Sequence, residues 1–185
     1  MAGCAQYKAA VAANNPDRKV NRPVPDPSSG ETLADPAAFA ARLEKGRRLL
    51  GLDLGTKTIG VALSDVTRSI ASPFETVMRT RFTADAARLM AIASEQGVGG
   101  IVLGLPRNLD GSEGPRAQAT RAFSRNFNRL SPLPVLLWDE RLSTAAAERM
   151  LIEADRSRKR RGEVIDKVAA TIILQSALDR LRGMG

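Results

Sequence analysis

The acidic residues Asp53, Asp139, Glu140 and Asp166 stand where a chain of this pattern could do chemistry, and the chain has no histidine to share the work. Asp53 closes the apolar run Arg48-Leu-Leu-Gly-Leu-Asp53, directly before the turn Gly55-Thr56-Lys57. Asp139 and Glu140 follow the apolar run Pro134-Val-Leu-Leu-Trp138. Asp166 falls near the start of the final helical stretch, where Asp166, Ala169, Ala170, Ile173 and Ala177 share a face. A carboxylate at the end of a buried strand is costly unless something pairs with it. Convergent carboxylates repel one another, and a divalent cation removes the repulsion. Oxygen-only ligands favour Mg²⁺ or Mn²⁺ over zinc. Two such ions about 3.5–4 Å apart can activate a water and stabilise the leaving oxygen in phosphodiester cleavage. Each acid also has a plainer role open to it. Asp53 suits a turn, Asp139 and Glu140 can pair with Arg141 or cap a helix, and Asp166 suits the positive end of a helix dipole.

Basic residues surround these acids. Gly104-Leu-Pro-Arg-Asn-Leu-Asp-Gly111 leaves an apolar strand and places Arg107 and Asn108 near the same edge, where arginine can grip phosphate with two parallel hydrogen bonds. Arg156-Ser-Arg-Lys-Arg-Arg161 packs Arg158, Lys159, Arg160 and Arg161 just before Asp166, as a solvated loop or a nucleic-acid clamp. The net charge is +8. Residues 1–46 hold six basic and five acidic groups, so the remaining 22 basic and 15 acidic groups put +7 on residues 47–185. That excess attracts phosphate backbones.

The elements that must position these residues follow from pattern. Residues 1–35 read as a disordered, proline-rich extension, with Pro16, Pro23, Pro25 and Pro27 among polar residues. Asp35-Pro36 looks like a helix cap with proline at the first helical position, opening a short helix over 36–46 that Gly46 ends. Residues 48–54 and 58–64 read as antiparallel strands, and 75–79 as a third. A helix over 84–96, capped by Thr83, leads to the apolar run Gly100-Ile-Val-Leu-Gly104. A helix over 116–130 then leads to the strand at 134–138. Helices over 143–154 and 163–181 flank a basic loop at 156–162. A hairpin followed by strand–helix alternation implies a three-layer α/β domain: a mixed central sheet of about five strands with helices on both faces. No apolar run nears the ~20 residues of a membrane span. No secretory signal is apparent, and the single cysteine, Cys4, excludes an internal disulfide, so a cytoplasmic setting is expected.

Four ordered blocks carry a family resemblance. Leu52-Asp-Leu-Gly-Thr-Lys-Thr-Ile-Gly-Val-Ala62, Val102-Leu-Gly-Leu-Pro-Arg-Asn-Leu-Asp-Gly111, Trp138-Asp-Glu-Arg-Leu-Ser-Thr144 and Ile165-Asp-Lys-Val-Ala-Ala-Thr-Ile-Ile-Leu174 resemble the signature blocks of the YqgF/RuvX family. The resemblance covers residues 47 to about 182. It implies an RNase H-like domain over 47–185, related to RuvC-type Holliday-junction resolvases. It implies a metal-dependent nuclease that matures the 5′ end of pre-16S ribosomal RNA or resolves four-way DNA junctions. By motif, Asp53, Glu140 and Asp166 match the family's catalytic, metal-holding acids. Lys57, Arg107, Asn108, Arg141 and the 158–161 cations would then hold phosphate. The expected partners are nucleic acid (pre-rRNA or branched DNA) and a second copy of the chain in a homodimer, with no membrane. The residue after the last aspartate is commonly Ser in the family and is Lys167 here; helical geometry turns it about 100° away from Asp166. Two other readings compete. The Asp-x-Gly-Thr turn also resembles the phosphate loop of two-domain ATPases, for which this chain is too short. A non-catalytic RNA-binding assembly factor would keep the same fold.

Overall fold

Alternation along the central strands builds the core. A computed structural model describes residues 30–142 and 161–184, with the backbone alone for 161–166. Strand β1 is Thr32–Leu33, followed by helix α1 at Pro36–Ala40. Then come β2 (Arg48–Leu54), β3 (Thr58–Ser64), β4 (Ala71–Met78), α2 (Phe82–Glu95) and β5 (Val98–Leu105). Helix α3 (Pro115–Asn128), β6 (Val135–Asp139), a 3₁₀ turn at Glu140–Leu142 and α4 (Arg161–Arg182) complete the order. The strands form one sheet in the order β1-β6-β5-β2-β3-β4, parallel except where β3 meets β2 and β4.

Successive residues of a strand point to opposite faces. Leu50, Leu52, Ile101, Leu103, Val135 and Leu137 face α2 and α3, whose Leu89, Ile92, Phe123 and Phe127 complete that layer. Leu49, Val102, Leu136 and Trp138 face the other way, against Phe39 of α1 and Ala170, Leu174 and Ala177 of α4. Both faces of β2, β5 and β6 are therefore covered, which is why their sequences are unbroken apolar runs.

Helix α4 lies close on β2. A Cβ built on Gly51 would stand 2.6 Å from Leu174 Cβ and 2.9 Å from the Ala170 carbonyl. One residue beyond Leu174, Gln175 accepts a hydrogen bond from Ala71 N and donates to the Ser69 carbonyl. Ala71 pairs with Ser64, beside the start of β2. The helix thus runs antiparallel to β2, and its first turns head toward the Asp53 end.

The sheet has six strands rather than about five. The added one lies in the segment expected to be a disordered extension: Thr32 and Leu33 pair parallel with Val135 and Leu136. Two residues give no periodicity to read, and the side chains that fix them are remote. Thr32 Oγ1 contacts Ser124 Oγ at 2.6 Å and donates to Asn128 Oδ1 at 2.5 Å. The Asp35-Pro36 start of α1 appears as expected, with Asp35 accepting from Ala37 N and Ala38 N, but the helix stops at Ala40 instead of running to 46. Strand β4 begins at Ala71 rather than 75, because pairing with β3 recruits residues that lack alternation of their own. Thr83 is not the cap of α2. The helix starts at Phe82, and the buried Asp85 accepts from Thr80 N in front of it. Arg161 and Gly162 open α4 instead of closing a loop. The expected helix at 143–154, the loop at 156–160 and residues 1–29 lie outside the described residues. No helix among the described residues is long and apolar enough to cross a membrane.

Candidate active site

Strand direction decides where the acids go. Asp53 follows Leu52, which faces α2 and α3, so pleating turns Asp53 toward α4. Gly104 of β5 faces the same way: a Cβ there would stand 2.6 Å from Ile173 Cδ1 and 2.7 Å from Glu140 Oε1. The Glu140 carboxylate therefore rests over Gly104, on the α4 side of the sheet and at the carboxyl ends of the parallel strands. This is the edge at which open α/β sheets build sites.

Glu140 carries the clearest electrostatic signature. Burial pushes its carboxyl up to about 7, and the charge of Asp53 pushes the same way. Arg116 opposes these effects, and Asp139 adds a smaller upward push. Asp53 and Glu140 are thus close enough to repel. Asp166 lies on the backbone of α4 one turn before Ala170, in the turns that head toward Asp53; its side chain is outside the described atoms. Among the described residues no group of three or more His, Cys, Asp or Glu side chains gathers.

Asp139 does different work from its neighbour. Its Oδ2 accepts from Arg141 Nη2 at 2.7 Å, and its Oδ1 accepts from Arg141 Nε at 3.0 Å. The Arg141 hydrogen bonds hold the Asp139 carboxyl below its usual range. Arg141 also donates through Nη1 to the Leu109 carbonyl at 3.3 Å, tying the 106–112 loop to β6. Arg107 Nη1 lies 3.7 Å from Asp139 Oδ2, and its Nη2 donates to Glu113 Oε1 at 3.1 Å. Glu113 also grips Arg121 twice, at 2.6 Å each, and these bonds pull its carboxyl down to about 2. Asn108 donates to Ser112 Oγ at 2.8 Å and is otherwise exposed at the same edge.

On the far side of Asp53, Lys57 is exposed at the β2–β3 turn. Arg79 pins that turn, donating from Nη1 to the Gly55 carbonyl at 2.6 Å and from its backbone N to the Lys57 carbonyl at 2.9 Å. Lys167 acts electrostatically on Glu75 of β4 and is not among the charges acting on Glu140. The structure thus brings Asp53, Glu140, Arg107, Asn108 and Arg141 to one edge, with Lys57 on the adjoining turn. The side chains of Arg158, Lys159, Arg160 and Arg161 are outside the described atoms. Sequence reading missed Arg116, Glu113, Gly104 and Arg79. Only Gly104 left a signal, as a glycine at the exit of an apolar strand.

Gly104 gives a direct test of this seating. Gly104→Ala should lower cleavage at least about tenfold while costing about 1–3 kcal/mol of stability, because the new methyl displaces the tips of Glu140 and Ile173 rather than backbone. Activity and thermal melting measured on one preparation would show it, and wild-type activity would mean that Glu140 does not work from this position.

Comparison with known proteins gives the family and the fold. Residues 47–180 match the family model described as RuvX, Holliday junction resolvase. A curated relative from Cereibacter sphaeroides, named "Putative pre-16S rRNA nuclease", is 67% identical over 147 residues, which is 80% of this chain and 92% of the relative. One of the same name from Paracoccus denitrificans is 64% identical, covering 80% of this chain and 93% of its own. The solved structure of T. thermophilus RuvC in complex with Holliday junction substrate aligns with a TM-score of 0.52 at 13% identity, covering 75% of this chain and 98% of that one. At that identity the likeness is one of fold.

Proposed function

The chain belongs to the RuvX family, and from that premise we propose that it is a metal-dependent nuclease that trims the 5′ end of pre-16S ribosomal RNA in the cytoplasm. One observation carries the reading: two carboxylates, Asp53 and Glu140, repel each other across a partly buried edge, and the Glu140 carboxyl is lifted to about 7. Such a pair, with oxygen donors alone, fits a hard divalent cation. Asp53, Glu140 and Asp166 would hold Mg²⁺ or Mn²⁺. An ion held there would supply an activated water and charge neutralisation at the leaving oxygen.

The protein's own side chains do the rest. Asp53 sits at the end of a strand hydrogen-bonded on both sides, so its backbone is rigidly placed. Arg107, held between Glu113 and Asp139, and Arg141, locked on Asp139, present guanidinium groups at fixed angles for phosphate. Asn108 and Lys57 add donors on either side, and Arg158, Lys159, Arg160 and Arg161 extend the grip. With a net charge of +8, the chain meets a polyanion readily.

The second reading, cleavage of a four-way DNA junction, is favoured by the description of the family model. Both substrates offered side by side with Mg²⁺ or Mn²⁺ decide the matter. Metal-dependent shortening of the 5′ end of precursor RNA is expected. Cleavage of the junction alone would favour the second reading. Salt-sensitive RNA binding with no cut by either ion would make the chain a non-catalytic assembly factor.

A further inference from the structure

Beside the acids, a second concave feature opens at the outer edge of β6. Its volume is about 550 Å³, within the range of small-molecule sites. Leu105 and Leu137 reach it from the α3 face of the sheet and Trp138 from the α4 face, so that they meet at the strand's edge, and Pro36 closes one side from outside the family-matched region. Arg107, Arg121 and Arg180 line the polar side, together with Asp139, so the cavity is continuous with the active edge.

The charges are unevenly answered. Arg107 and Arg121 are paired with Glu113 and Asp139. Arg180 is exposed and pairs with no acid among the described residues. The indole Nε1 of Trp138 is buried and has no hydrogen-bond partner among the described residues. An apolar strand edge, a cation that no described acid answers and a site for phosphodiester chemistry next door suit a nucleotide: a base on one side and a phosphate on the other.

We propose that this cavity takes one unpaired nucleotide of the substrate strand, its base at the β6 edge beside Trp138 and its phosphate toward Arg180. The proposal rests on the nuclease reading and adds a preference to it: the strand must offer a nucleotide free of pairing beside the cut. A continuous duplex cannot fill the cavity without unpairing a base.

Trp138 is the sole tryptophan of the chain, so its fluorescence reports on this cavity directly. Full-length, metal-free protein is titrated with adenosine 5′-monophosphate, adenosine or inorganic phosphate. Saturable quenching by the monophosphate is expected, with much weaker responses to adenosine and phosphate alone. Arg180→Gln should weaken the monophosphate about tenfold. A short single-stranded oligonucleotide should displace it. No response to the monophosphate, an unchanged affinity in Arg180→Gln, or an oligonucleotide that leaves the monophosphate's apparent affinity unchanged would each overturn the proposal. None of these readouts uses cleavage. Protein that binds the monophosphate as expected and cuts nothing would count against the nuclease reading alone.

Discussion

Asp53→Asn is expected to cut metal-dependent cleavage by about 10³-fold or more while the protein still folds. Asparagine keeps the volume and the hydrogen-bonding reach of the side chain and removes only its charge. The fold has little reason to change: β2 is held by β3 on one side and β5 on the other, and the turn after Asp53 is pinned by Arg79. A divalent ion would meet a weaker site, with one fewer anion opposite Glu140. Thermal melting gives an independent reading. Mn²⁺ binds the folded form and should raise the melting temperature of the wild type. That increase should be lost in Asp53→Asn. Equal shifts in both proteins, or unchanged cleavage, would remove Asp53 from the site.

The second large effect is on stability, and its sign follows from Glu140. The folded carboxyl titrates at about 7, against an ordinary value of 4.5. Between those values the folded protein keeps a proton that the unfolded chain has released. The native state binds more protons there, so stability falls as pH rises. The contribution is complete below about 4.5 and is lost as pH climbs through 7. Water reaches part of this carboxylate, which limits the loss to about 1–2 kcal/mol. Glu140→Gln should flatten the metal-free profile across that window and be more stable than wild type at pH 8, yet inactive. Added Mn²⁺ should stabilise wild type more at pH 8 than at pH 6, because the metal needs the deprotonated carboxylate. Chemical denaturation at a series of pH values, with and without metal, checks both statements. Asp139 and Glu113 act in a separate window. Their carboxyls are lowered by arginine hydrogen bonds, so they support the fold above the usual carboxylate range and lose that support in acid. A metal-free profile flat from pH 5 to 8 in wild type would mean that Glu140 is not buried beside Asp53.

The acids differ in how far the sequence could carry them. Asp53 was legible because an apolar strand ending in one carboxylate is an unusual pattern. The Asp139-Glu140 pair could not be divided on pattern alone. Adjacent residues leave the end of β6 in different directions, and only packing assigned Asp139 to Arg141 and Glu140 to the cover over Gly104. Arg107 was expected as a phosphate grip. That it is shared between Glu113 and Asp139 depends on the 106–112 loop folding back onto α3, which no local spacing encodes. Arg79 and Arg116 drew no notice, because a lone arginine carries no pattern.

By itself the sequence determined what depends on neighbours along the chain: the unbroken apolar runs of β2, β5 and β6, the hairpin turn at 55–57, the Asp35-Pro36 helix start and the excess of positive charge. Tertiary structure decided what depends on residues far apart. Partner strands set the ends of β4 and recruited Thr32 and Leu33 as a sixth strand, since backbone donors and acceptors at an edge pair with whatever chain reaches them. The lifted Glu140 carboxyl is of the same kind. Its cause is burial beside Asp53, a residue 87 positions earlier in the chain, and Coulomb forces act through space rather than along sequence.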